Sequence, residues 1–132
     1  DICQELGFRG CVLIGHIGKL VKLAGGMMNT HSKYGDCRTE ILSAMAGAEG
    51  VDKATIRAML ECVSCDDCLR LLGADREAVL ARLMGRIHFH LQYRAQDMEI
   101  GCAMFSKEYG LLGKTENVDE LIGKILKQKI DN

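Results

Sequence analysis

Cys11-Val12-Leu13-Ile14-Gly15-His16-Ile17-Gly18-Lys19-Leu20-Val21-Lys22-Leu23-Ala24-Gly25-Gly26-Met27-Met28-Asn29-Thr30-His31-Ser32 is the stretch on which the reading of this chain turns. Its first four residues form a short apolar run of the kind that makes a buried strand. Two histidines, two lysines, an amide and two hydroxyl side chains follow within eighteen positions. In open α/β sheets a ligand usually sits where the backbone leaves a strand's carboxyl end. A strand interior has no use for this mixture of small and polar residues, whereas a site does.

Gly15 and Gly18 allow a tight turn and close approach of a ligand to the main chain. A helix is expected after Gly18, because Leu20, Val21, Leu23 and Ala24 fall on one broad face. Its start would direct unpaired N–H groups at an anion, with Lys19 adding charge. The nearest familiar pattern is the nucleotide P-loop, but the two glycines here are only three apart. Leu20 also stands where a magnesium-binding hydroxyl is required. A standard Walker motif is therefore ruled out, and mere strand-to-helix packing remains an equal alternative for the glycines. Asn29-Thr30-His31-Ser32 suits a pocket-lining loop; capping the next helix would explain one of its hydroxyls but not the run. His31 has the chemistry of an acid or base near neutral pH.

Charge is distributed in the same sense. The 132 residues sum to −1, yet residues 9–38 carry Arg9, Lys19, Lys22, Lys33 and Arg38 against Asp36 alone, a local +4 that leaves −5 elsewhere. This favours an anionic ligand at the turn, or else marks a solvated face, and gives no global attraction to nucleic acid. Too few aromatics interleave with basic residues for single-stranded nucleic acid binding. Hydrophobic content of 48% with 27% charged residues fits one soluble globular domain. The most apolar window, residues 11–28, is broken by Lys19 and Lys22, so no membrane span is expected. Seven cysteines cannot all pair within the chain, which favours free thiols and a reducing, cytoplasmic setting.

Further along, residues 1–6 read as the end of a helix closed by Gly7. A helix over residues 36–48 would bury Ile41, Leu42 and Met45. Asp52 would cap another that buries Ile56, Met59, Leu60 and Val63. After a short helix at 66–72, Asp75 opens the longest one, with Val79, Leu80, Leu83, Met84, Ile87 and Leu91 as a stripe. Residues 98–105 switch to period two and read as a strand, and Leu111-Leu112 as a brief further one. Asn117 with Glu120 makes a capping-box start for a last helix burying Val118, Leu121, Ile122, Ile125 and Leu126. The fold class is α/β: a helix-rich domain, residues 1–132, around a small, mainly parallel sheet.

Two other clusters invite chemistry. Cys62-x-x-Cys65-x-x-Cys68 has iron–sulfur spacing, but no fourth cysteine follows closely and Asp66-Asp67 oppose thiolate formation. A core role fits better, and no metal ligand is assigned. His88 and His90 are two apart, so a helix would point them in different directions.

Residues 12–42 are similar, nearly position for position, to the signature of the CbiD family, the cobalt-precorrin-5B C1-methyltransferases of anaerobic cobalamin biosynthesis. The likeness runs through Val12 to Ala24, then Gly26, Asn29-Thr30-His31-Ser32, Asp36, Arg38 and Glu40-Ile41-Leu42. Glu5-Leu6-Gly7-Phe8 resembles the family's lead-in, and Gly25, Gly35, Cys37 and Thr39 are mild departures. The resemblance implies an S-adenosylmethionine-dependent enzyme that methylates carbon on a cobalt-bearing polycarboxylate tetrapyrrole. It also implies a two-domain protein of which this chain is a C-terminal fragment, its N-terminal domain being a partner absent here. A homo-oligomer is left open, as is a non-catalytic tetrapyrrole- or anion-binding module. His16 and His31 are the catalytic candidates. Gly15, Gly18, Lys19, Lys22, Asn29, Thr30, Ser32, Asp36 and Arg38 are those for binding substrate carboxylates and backbone.

Overall fold

Along β2 (Gly10–His16), Val12, Ile14 and His16 alternate with Cys11, Leu13 and Gly15, so one strand serves two faces of a sheet. The computed structural model describes residues 2–5, 10–30 and 36–131, excluding the side chains of 2–5, 125 and 128–131. β1 (Ile2–Glu5) pairs antiparallel with β2, Gln4 opposite Val12. The expectation of a helix at residues 1–6 is thereby corrected. So short a segment shows no helical period, and its pairing with β2 decides its conformation. The proposed cap at Gly7 lies outside the described residues.

β3 (Glu99–Ser106) lies parallel to β2, with His16 opposite Phe105 at the shared carboxyl end. β4 (Gly110–Lys114) returns antiparallel to β3, with an irregularity in register between Met104 and Phe105. The four strands run β1-β2-β3-β4 across the sheet. The sheet is thus mixed rather than mainly parallel, with one parallel pairing in three. Connection length explains the difference: a few residues link β3 to β4 and permit only a hairpin, whereas a whole helical region separates β2 from β3.

That region begins with α1 (Ile17–Leu20), which passes directly into a 3₁₀ turn (Val21–Gly25) ending at Gly26 with φ of 83°. α2 (Arg38–Ala48) and α3 (Lys53–Leu60) follow, and the Asp52 carboxylate accepts the Thr55 N–H as the sequence predicts. α4 (Cys65–Leu72) and α5 (Arg76–Arg94) complete it. All six stripe residues of α5 are buried, from Val79 to Leu91, and pack with Ile17, Leu20 and Val21 over the Cys102 and Met104 side of the sheet. α6 (Val118–Asp131) covers part of the opposite face, where Leu121 meets Val12.

Several expected core positions are not core. Val63 is 82% exposed and Leu60 is also at the surface, because α3 ends at Leu60 and the chain turns away before Val63. Ile41 and Met45 are half-buried at the edge of the core, and Ile122 and Leu126 face outward on α6. Asn117 does not spend its side chain on a capping box. It donates to the Ile100 carbonyl at 2.9 Å and to Glu99 at 3.1 Å, tying the start of α6 to β3. Among the described residues no helix is long and apolar enough to cross a membrane.

Candidate active site in the turn after the second strand

His16 closes β2 and caps α1: the Gly18 N–H donates to its Nδ1 at 3.0 Å. A neutral ring held this way carries its proton on Nε2, so His16 presents a donor to whatever approaches that edge. Its ring also meets Phe105 edge to face, with centroids 6.0 Å apart. Three residues on, Lys19 is exposed. Lys22 is buried, and its ammonium donates to the Thr30 carbonyl at 3.0 Å. A buried ammonium needs such partners, and this one fastens the 27–30 segment against the 3₁₀ turn.

Arg38 comes from the first residue of α2. Its Nε donates to Asp36 Oδ1 at 2.9 Å and its Nη2 to Oδ2 at 3.1 Å, a two-point clamp. Nη2 also reaches the Val63 carbonyl at 3.4 Å. With those two nitrogens engaged, Nη1 is directed towards Gly18, 3.9 Å from where a Cβ would stand. The Arg38 guanidinium holds the Asp36 carboxyl below the usual carboxylate range, and Asp36 in turn raises Arg38.

The structure therefore brings together His16, Gly18, Lys19, Lys22, Asn29, Thr30, Asp36 and Arg38 around one concave site of about 700 Å³. Among the described residues, three cations against one carboxylate make it electropositive. Gly15 is not part of it: it is a buried strand residue on the core face of β2, opposite Met104, and forms no turn. His31 and Ser32 lie outside the described residues. Sequence reasoning missed Phe105 and the Val63 carbonyl, since neither carries a signal until the β2–β3 register and the α3–α4 turn are known. A second cleft of about 370 Å³ between α5 and β4 includes His88 but no such convergence of cations. Its one lysine, Lys114, is paired with Asp119.

The cysteine motif lies within electrostatic reach of Arg38. Cys65 and Cys68 are buried, and the Cys62 and Cys68 thiols donate to two different carbonyls, those of Ala58 and Met59. Among the described residues no three His, Cys, Asp or Glu side chains are arranged to hold a metal ion. Cys37, Cys62, Cys65, Cys68 and Cys102 are free thiols as expected, whereas Cys11 departs from that expectation and is disulfide-bonded. Burial pushes Cys65 up to about 11, and Cys68 and Cys102 up to about 12. In brief alkylation of the folded protein at pH 8, iodoacetamide should modify Cys37 and Cys62 and spare these three, as read by peptide mass spectrometry. The unfolded chain loses these protons first, so their stabilising contribution is complete below pH 9 and is lost as pH rises towards 11–12. A melting temperature that stays level across that range contradicts the assignment.

A family model, CbiD C-terminal domain, matches residues 29–116. The chain belongs to the CbiD family. Among CbiD relatives, the cobalt-precorrin-5B C(1)-methyltransferase of Alkaliphilus metalliredigens is 38% identical over 122 residues, covering 89% of this chain and 32% of that protein. That of Ruminiclostridium cellulolyticum is 40% identical over 97 residues, 72% of this chain and 25% of the relative. That of Clostridioides difficile is 29% identical over 124 residues, 90% of this chain and 30% of the relative. A match over 90% of a 132-residue chain has to include residues 15–38, so the CbiD likeness extends through the whole site. The chain spans about a third of the length of these curated CbiD proteins. No solved structure matches it.

Proposed function

We propose that this chain is the C-terminal α/β domain of a cobalt-precorrin-5B C1-methyltransferase, and that the turn after β2 holds the carboxylate arms of the tetrapyrrole. The observation that carries this reading is the convergence of Lys19, Lys22 and Arg38 on one concave site. A precorrin displays several acetate and propionate groups, and ammonium and guanidinium donors are the partners such groups need. Arg38 suits a two-point carboxylate contact least on the edge already held by Asp36, so it meets substrate through Nη1. Lys19 supplies a mobile charge at the rim. Lys22, already bonded to Thr30, contributes from below and keeps Asn29 and Thr30 in place.

S-adenosylmethionine, the donor proposed here, supplies an activated methyl group whose transfer to carbon leaves a neutral thioether. What the protein must add is alignment of donor and acceptor and management of a proton on the ring. His16 is held with Nε2 as its donor edge, which suits it to steady a developing negative charge. The accepting role then falls to His31. The chemistry is completed by the N-terminal part of the protein, in a soluble, cytoplasmic enzyme.

Alanine at Lys19 and, separately, at His31 in the complete enzyme tests the assignment. Lys19→Ala should raise KM for the precorrin at least ~10-fold, the loss of one charge-assisted contact. His31→Ala should lower kcat ~100-fold or more, as loss of a proton-transfer group does. Unchanged constants would remove both residues from the site. Retained methylation in both variants with weakened corrinoid binding would instead identify a binding module whose chemistry lies wholly elsewhere.

A further inference from the structure

The sheet face that carries His16 is only half covered. α6 sits over its amino-terminal part, where Val118 and Leu121 approach Gly101 so closely that a Cβ there would stand 2.9 Å from each. Beyond that point Ile14 is 39% exposed, Phe105 41% and Leu111 63%. The register puts these residues on one face: Ile14 opposite Ala103, His16 opposite Phe105, and Phe105 opposite Leu111. Three adjacent strands, about 10 Å across at the usual spacing, therefore present an apolar strip where β2 and β3 end and β4 begins. It runs straight into the electropositive site through the edge-to-face contact of Phe105 with His16.

A contiguous exposed apolar patch bordered by polar residues marks a binding surface, and the charges at its border select the occupant. Lys19, Lys22 and Arg38 against Asp36 repel a sulfonium and attract carboxylates. A flat ring with acidic arms satisfies both features at once, its face on the strip and its arms among the cations. We infer that Ile14, Phe105 and Leu111 form the shelf on which the face of the macrocycle lies, with Phe105 as its central contact. This rests on the tetrapyrrole reading proposed above.

The test uses the complete enzyme and cobyrinic acid, a corrinoid polycarboxylate, titrated by its visible absorbance, alongside S-adenosylmethionine titrated by calorimetry. Phe105→Ala should weaken cobyrinic acid ~10-fold or more, with S-adenosylmethionine affinity and melting temperature unchanged. Phe105→Leu, which keeps most of the apolar area, should restore most of the loss. Equal affinity of Phe105→Ala and unmodified enzyme for cobyrinic acid overturns the shelf while leaving the carboxylate site standing. Loss of S-adenosylmethionine binding alone overturns it by assigning the strip to the methyl donor. A drop in melting temperature with neither ligand affected overturns it by assigning the strip to another part of the polypeptide. Failure of the unmodified enzyme to bind cobyrinic acid overturns the tetrapyrrole reading, and this inference with it.

Discussion

Gly101→Val is expected to destabilise the domain by about 3 kcal/mol or more, the upper range for forcing atoms into a packed interior. A Cβ at this position would stand 2.9 Å from Leu121 Cδ1 and Val118 Cγ2 and 3.1 Å from Asn117 Oδ1. None of the three can give way freely. Val118 and Leu121 are buried, and Asn117 is held by Thr115 at 2.7 Å and by the Ile100 carbonyl. Accommodating valine therefore means lifting α6 off the sheet, which removes Leu121 from Val12 and breaks the Asn117 bonds together. Urea unfolding of the domain measures the loss. A change below about 1 kcal/mol would show that α6 is not seated as described.

Arg38→Ala is expected to weaken carboxylate binding by the complete enzyme between ~10- and ~100-fold, since hydrogen bonds to charged groups contribute about 1.5–3 kcal/mol. Asp36→Asn should cost less. It loosens the clamp on the guanidinium but also removes the one acidic side chain among the described residues lining the site. Raising ionic strength should narrow the difference between Asp36→Asn and the unmodified enzyme, because the Asp36–Arg38 pair is largely exposed and screened by salt. Competition by small tricarboxylates such as citrate, titrated against each variant, reads both effects. If Asp36→Asn proves the more damaging substitution, then Asp36 and not Arg38 is the group that meets the ligand.

Much of this architecture is legible in the residues before any coordinates. The α5 stripe is read correctly because five turns give the helical period room to show, and all six positions bury as expected. Asp52 is found because a cap is a local interaction whose partner lies three residues away. The period-two run that becomes β3 is visible for the same local reason. What fails is whatever depends on a distant partner. β1 is four residues long and owes its strand conformation to β2. Parallel or antiparallel pairing depends on which strands neighbour each other, and composition does not contain that. Val63 looks like the last step of a helical stripe but falls past the end of α3, where its carbonyl rather than its side chain matters.

The site divides along the same line. Chemistry and proximity in the chain single out His16, Gly18, Lys19, Lys22, Asn29, Thr30 and Arg38, the family resemblance adds Asp36, and all eight meet around one concavity. Gly15 stands among them in the sequence, yet strand alternation turns it to the core face, opposite Met104. Phe105 is 89 residues from His16 in sequence and becomes its neighbour only through the parallel register. No local pattern could have joined them.

The most direct measurement is a crystal structure of the complete enzyme with cobyrinic acid bound. The account predicts corrinoid carboxylate oxygens within about 3 Å of Lys19 Nζ and Arg38 Nη1, with the ring face against Phe105. A macrocycle seated elsewhere, with Lys19 and Arg38 turned to solvent, would contradict it.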